Sequence, residues 1–83
     1  MRYQEINALS NGDCLKLIED YEFKTDFKNF NLKKGTRMVI VSSSLNGYDF
    51  KLDCSIPPFG NILTIGKKRL HLMKLKKIGE VYL

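Results

Sequence analysis

The clearest alternation in the chain runs from Tyr48 to Cys54, where Tyr48, Phe50, Leu52 and Cys54 are interleaved with Asp49, Lys51 and Asp53. A period of two places the two sets on opposite faces of a strand. A second strand is predicted just upstream. Lys33-Lys34-Gly35 is a turn signal, and the run Arg37 to Ser43 behind it is rich in β-branched residues. Gly35 can supply the positive φ such a turn uses. Ser42 to Gly47 is the loop between these strands, with Asn46-Gly47 as its hairpin signal. Earlier, Leu15 and Leu17 flank Lys16 in a short strand following the Asn11-Gly12-Asp13 turn. Glu19 to Asn31 is different, because Tyr21, Phe23, Phe27 and Phe30 are spaced by two, four and three residues, which fits neither period. It reads as a long excursion whose aromatic rings fold back on the core. Met1 to Ser10 has no clean period, and residues 1–11 read as a short arm or a helical turn.

Downstream, Pro57-Pro58 breaks any strand, since proline lacks the ladder donor. The stretch Ile56 to Asn61 is therefore a stiff connector carrying Phe59. Ile62 to Ile65 is a further strand, Gly66-Lys67-Lys68 a turn, and Arg69 to Met73 the returning partner. Lys74 to Ile78 fits a 3₁₀ turn or a strand, and Glu80 to Leu83 a final short strand. Five to six short strands with frequent turns and no long amphipathic helix predict an all-β fold. A small antiparallel barrel is expected, since closure hides the sheet edges. Val39, Val41, Phe50, Leu52, Ile65 and Leu72 are expected in its core. The chain is 83 residues long, which predicts one domain over 1–83.

Two resemblances agree with this. Asp20-Tyr21-Glu22, followed by Phe30 to Val41 with its Lys33-Lys34-Gly35-Thr36 turn, resembles the start of a Src-homology-3 domain. The resemblance implies a Src-homology-3-like barrel. That family's tryptophan pair and Pro-Asn-Tyr element, which build its proline-peptide groove, have no counterpart here, so peptide recognition of that type is not implied. Gly12-Asp13, Ile18-Glu19-Asp20, Lys33-Lys34-Gly35-Thr36, Ile40 and Tyr48-Asp49 to Asp53-Cys54 are also similar to the C-terminal domain of the PhnA family. That similarity spans residues 12–77 and implies the same kind of barrel. The zinc ribbon that precedes the domain in that family has no counterpart here.

Charge changes the picture more than composition does. The net charge is +5, but residues 1–26 carry three Lys/Arg against six acids, and residues 27–83 carry eleven against three. Six cations, Lys67, Lys68, Arg69, Lys74, Lys76 and Lys77, fall within eleven residues uninterrupted by an acid. Lys33, Lys34 and Arg37 extend this candidate nucleic-acid-binding set. Such a surface attracts phosphate by charge and counterion release.

Catalytic chemistry is not expected. Cys14 or Cys54 with His71 is the sole nucleophile–base combination, and no motif supports it. Two cysteines and one histidine do not complete a closed zinc site, so no metal or cofactor is predicted. No signal peptide or membrane-spanning run is expected, which predicts a cytoplasmic protein. The sequence therefore points to a non-catalytic, basic-faced binding module for RNA or DNA. The alternative is a protein-interaction module, such as an accessory subunit or a phage or mobile-element protein that inhibits a host enzyme. Its contacts would come from Tyr21, Phe23, Phe27, Phe30 and Phe59.

Overall fold

In the computed structural model, which describes residues 1–26, 29–56 and 60–80 (the last by its backbone), two long antiparallel strands form the spine. β4 covers Arg37–Ser43 and β5 Gly47–Ile56, with Met38 opposite Leu52 and Ile40 opposite Phe50. All four side chains are buried, Met38, Ile40 and Phe50 completely. Full burial of an apolar side chain contributes roughly 1.5–3 kcal/mol, so these pairs anchor the register. β1 (Asp13–Leu17) pairs with the other side of β4, and β7 (Leu75–Glu80) with the other side of β1. β6 (Gly60–Gly66) pairs with β5. The sheet therefore runs β6-β5-β4-β1-β7, antiparallel throughout.

The predicted aromatic excursion is a hairpin of its own. β2 (Tyr21–Lys24) pairs with β3 (Asn29–Leu32), bringing Phe23 opposite Phe30. Its apolar side folds onto the sheet: Phe23 and Leu32 are buried, and Tyr21 and Phe30 pack against the same core. Of the two N-terminal expectations, the helical turn is correct. α1 spans Tyr3–Asn7 and buries Ile6, while the Tyr48 hydroxyl donates to the Ile6 carbonyl. That bond satisfies a polar atom that burial would otherwise leave expensive.

The expected returning strand over 69–73 is a helix instead. α2 covers Lys67–Leu72, burying Leu70 and, just beyond it, Met73, while Leu72 is 67% exposed. Leu70 and Leu72 read as a period of two, but Leu70 and Met73 share a helical face at a period of three. Leu72 is therefore not a core residue. Val39 and Val41 are only half-buried, because Met38 and Ile40 take the inward phase of β4. The closed barrel is not found either. β6 and β7 are the two ends of the sheet, and the chain between them enters α2 rather than pairing them. α1, α2 and the β2–β3 hairpin contribute Ile6, Leu70, Phe23 and Leu32 to the core beside the inward side chains of the sheet. Cys54, expected to face inward with Phe50 and Leu52, is exposed. Ile56, two residues on, is buried again in the same phase, so Cys54 is a local departure, at the stretch where the β5–β6 register breaks between Lys51 and Ile56.

Asn46-Gly47 does join β4 to β5, though Gly47 is needed for space rather than for a positive φ. A Cβ there would lie 2.5 Å from the Ile65 carbonyl oxygen. Gly35, by contrast, has φ +94° and open space around it. The connector residues Pro57, Pro58 and Phe59, the hairpin residue Phe27 and the terminal Val81 to Leu83 lie outside the described residues.

Candidate nucleic-acid interface

With Leu15 and Leu17 of β1 turned into the core, Lys16 points to the outer face of the sheet. Arg37 takes the same phase on β4, where Met38 is inward, and Lys76 takes it on β7, where Leu75 is inward. The register then brings these three together: Lys16 lies directly opposite Arg37 on one side and directly opposite Lys76 on the other. Neighbouring strands are about 4.8 Å apart, so the row Lys76–Lys16–Arg37 spans roughly 10 Å across three strands.

Lys34 joins them through the turn. The Gly35 amide donates to the Leu17 carbonyl at 2.7 Å, and the Leu17 amide donates to the Thr36 carbonyl at 2.9 Å. The Thr36 hydroxyl closes the turn on the Lys33 carbonyl at 2.7 Å, and the Lys34 amide donates to the Asp20 carboxylate at 2.6 Å. The turn is thereby fastened to the end of β1. Lys34, Lys16 and Lys76 line one open concavity of 470 Å³, together with Leu17, Gly35 and the exposed Ile18 and Ile78.

No acidic side chain among the described residues forms an ion pair with Lys16, Lys34, Arg37 or Lys76. The described ion pairs are Arg2–Glu5, Lys24–Glu22 and Lys77–Asp13. Asp49 also lies on the outer face, on β5, where the Ser42 and Thr64 hydroxyls both donate to it. Those bonds, Ser42's first, hold its carboxyl below the usual aspartate range.

The lysine-rich run that is continuous in sequence is divided in space. Lys67, Lys68 and Arg69 sit on α2. The Lys67 ammonium lies 5.9 Å from the Tyr48 ring centroid, and the Arg69 guanidinium 4.9 Å from that of Phe23. Both rings belong to the hydrophobic core, Tyr48 from β5 and Phe23 from the hairpin. Lys68 and Arg69 line a separate open cleft of 610 Å³ with Tyr21, Glu22, Lys24, Gly66 and Leu72. Lys76 and Lys77 point to opposite faces of β7, and Lys77 pairs with the buried Asp13 at 3.4 Å. Lys33 and Lys74 are exposed. Lys34, Arg37 and Lys76 are thus brought together, and the residue at their centre, Lys16, was absent from the expected set. Its outward phase was legible from Leu15-Lys16-Leu17, but its neighbours depend on the pairing of distant strands.

Of the aromatic residues in the alternative set, Tyr21, Phe23 and Phe30 pack on one another within the hairpin. Phe23 stacks on Phe30 at 4.9 Å and meets Tyr21 edge-on at 5.0 Å. Phe27 and Phe59 lie outside the described residues. Cys14 is buried and Cys54 exposed, its thiol pushed upward by partial desolvation and then by the neighbouring Asp53 charge. His71 stacks on Tyr3 at 4.3 Å, its Nδ1 3.0 Å from the Met1 carbonyl oxygen. Comparison of the chain with family models, curated proteins and solved structures finds no match in any of the three.

Proposed function

We propose that this chain is a non-catalytic module that binds the phosphate backbone of a nucleic acid through Lys76, Lys16, Arg37 and the adjacent Lys34. One observation carries the reading: Lys16 has a cation directly opposite it on both neighbouring strands, and no acid among the described residues pairs with the row. Like charges directly opposite across a sheet are destabilising. A polyanion laid across the row removes that repulsion and releases its own counterions as it binds. The sheet supplies a rigid frame, so the charges are presented without the entropy cost of ordering a loop.

The order of elements supports the finer Src-homology-3-like reading, in a form left open between β6 and β7. A first strand is followed by an aromatic–acidic hairpin, the Lys-Lys-Gly-Thr turn, three antiparallel strands, a short helix and a last strand back beside the first. The same order suits the similarity to the PhnA C-terminal domain.

The test compares binding of a fluorescent mixed-sequence DNA duplex, and of an RNA duplex, to three proteins at about 50 mM salt, where phosphate contacts are strong. These are the wild type, a Lys16→Glu/Arg37→Glu/Lys76→Glu variant, and a Lys67→Glu/Lys68→Glu/Arg69→Glu variant. The sheet-face variant is expected to lose binding and the α2 variant to retain most of it. Wild-type binding that is undetectable, or unaffected by reversal on the sheet face, contradicts the proposal. The protein-partner reading would then take its place.

A further inference from the structure

We propose that the β6 edge is a self-association surface, on which a second copy of this chain pairs its own β6 antiparallel and joins the two five-stranded sheets into one. The inference is independent of the nucleic-acid reading.

The two ends of the sheet differ in chemistry. β7 carries Lys76 and Lys77 and follows directly on Lys74, and charged side chains on an edge are a standard guard against strand addition. β6 reads Gly60-Asn61-Ile62-Leu63-Thr64-Ile65-Gly66 and has no charged residue or proline along its length. No described strand pairs with its outer side. An uncharged edge of seven residues in a chain of net charge +5 can approach its own copy without setting like charges side by side.

The sequence of β6 is also close to palindromic about Leu63. In the antiparallel register centred there, Gly60 meets Gly66 of the second copy, Asn61 meets Ile65, Ile62 meets Thr64, and Leu63 meets Leu63. The faces agree with this register. Ile62 lies opposite Lys51 and Thr64 opposite Asp49 on the outer face, while Leu63 and Ile65 lie opposite Phe50 and Tyr48 on the core side. Two β-branched Ile–Thr pairs would then form on the outer face and a Leu–Leu pair on the inner one, the kinds of cross-strand pair that stabilise sheets. Ile62, 47% exposed, loses its water in the process. Because the same strand is used by both copies, the contact is isologous and closes at two. A seven-residue strand pair falls below the area of a standard stable interface, so dissociation at roughly 10 µM to 1 mM is expected.

Sedimentation velocity of the full chain across that range tests this, beside Ile62→Lys, Asn61→Lys and, on the opposite edge, Ile78→Lys. The expected result is a wild-type monomer–dimer transition that both β6 variants shift at least tenfold toward monomer and Ile78→Lys leaves in place. Ile62 and Asn61 are exposed, so circular dichroism of the variants should match the wild type. A wild type that stays monomeric at 1 mM, assembly that continues past the dimer, or association indifferent to both β6 variants would overturn the proposal.

Discussion

Lys16 is the residue on which stability and function pull in opposite directions. Between Arg37 and Lys76 it costs the folded sheet some electrostatic repulsion, which the proposed polyanion contact would relieve. Lys16→Thr keeps a good strand former and removes the central charge. It should raise stability by about 0.5 kcal/mol at low salt, the scale of a single cross-strand pair, and weaken nucleic-acid binding at the same time. Chemical denaturation at low salt and in ~1 M salt checks the first half, because screening should abolish the gain. A substitution that lowers stability and binding together would mean that Lys16 is merely structural. Asp49 is a second residue with a readable charge state. Its folded carboxyl titrates below the ordinary value because Ser42 and Thr64 donate to its ionised form. Its contribution is therefore present at neutral pH and is lost as pH falls from the ordinary aspartate range through the lower folded value. Asp49→Asn should flatten the acid limb of a stability–pH profile over that window and leave the neutral region parallel to the wild type.

At the scale of elements, β1 and β5 are legible from an apolar face set against a polar one, whereas β2 and β3 alternate too briefly on either side of their turn and read together as a single excursion. β5 was readable from Tyr48 to Leu52, and β4 was found at its observed bounds by its β-branched composition and the turn before it. The inward phase of β4 was not readable, since Met38 and Ile40 compete with Val39 and Val41, and only the opposite strand's Phe50 and Leu52 decide between them. α2 was missed because six residues are too few to show a helical period against the Leu70–Leu72 alternation. The β4–β5 turn is legible at Asn46-Gly47, but the need for glycine there is not the backbone one the dipeptide suggests. Gly47 is there because β6 passes too close for a side chain, whereas Gly35 is there for its backbone. The two positions should therefore respond differently. Gly47→Ala must displace the backbone of Ile65 and should cost about 2–3 kcal/mol, toward the upper range for overpacking. Gly35→Ala meets open space and should cost about 1–2 kcal/mol through its left-handed φ alone. Urea denaturation of both variants checks the order, and equal costs would contradict this account of Gly47.

For the whole molecule, the charge asymmetry seen along the chain becomes a surface only after folding. The basic run from Lys67 to Lys77 is divided because α2 ends at Leu72 and β7 begins at Leu75, and because Lys76 and Lys77 take opposite faces. A cation thirty-nine residues away along the chain, Arg37, and one sixty away, Lys16, replace the missing neighbours of Lys76. Non-local register built the candidate site, which explains why the basic character of the chain is readable from composition and the residues at the centre of the row are not. The most direct measurement is the salt dependence of duplex binding. If Lys16, Lys34, Arg37 and Lys76 each neutralise one phosphate, log K should fall against log salt with a slope near −3.6, using about −0.9 per contact. Lys16→Thr should make that slope shallower by about one contact, and the Lys16→Glu/Arg37→Glu/Lys76→Glu variant should leave almost none. A wild-type slope near zero, or one that Lys16→Thr does not change, would contradict the row as the binding surface.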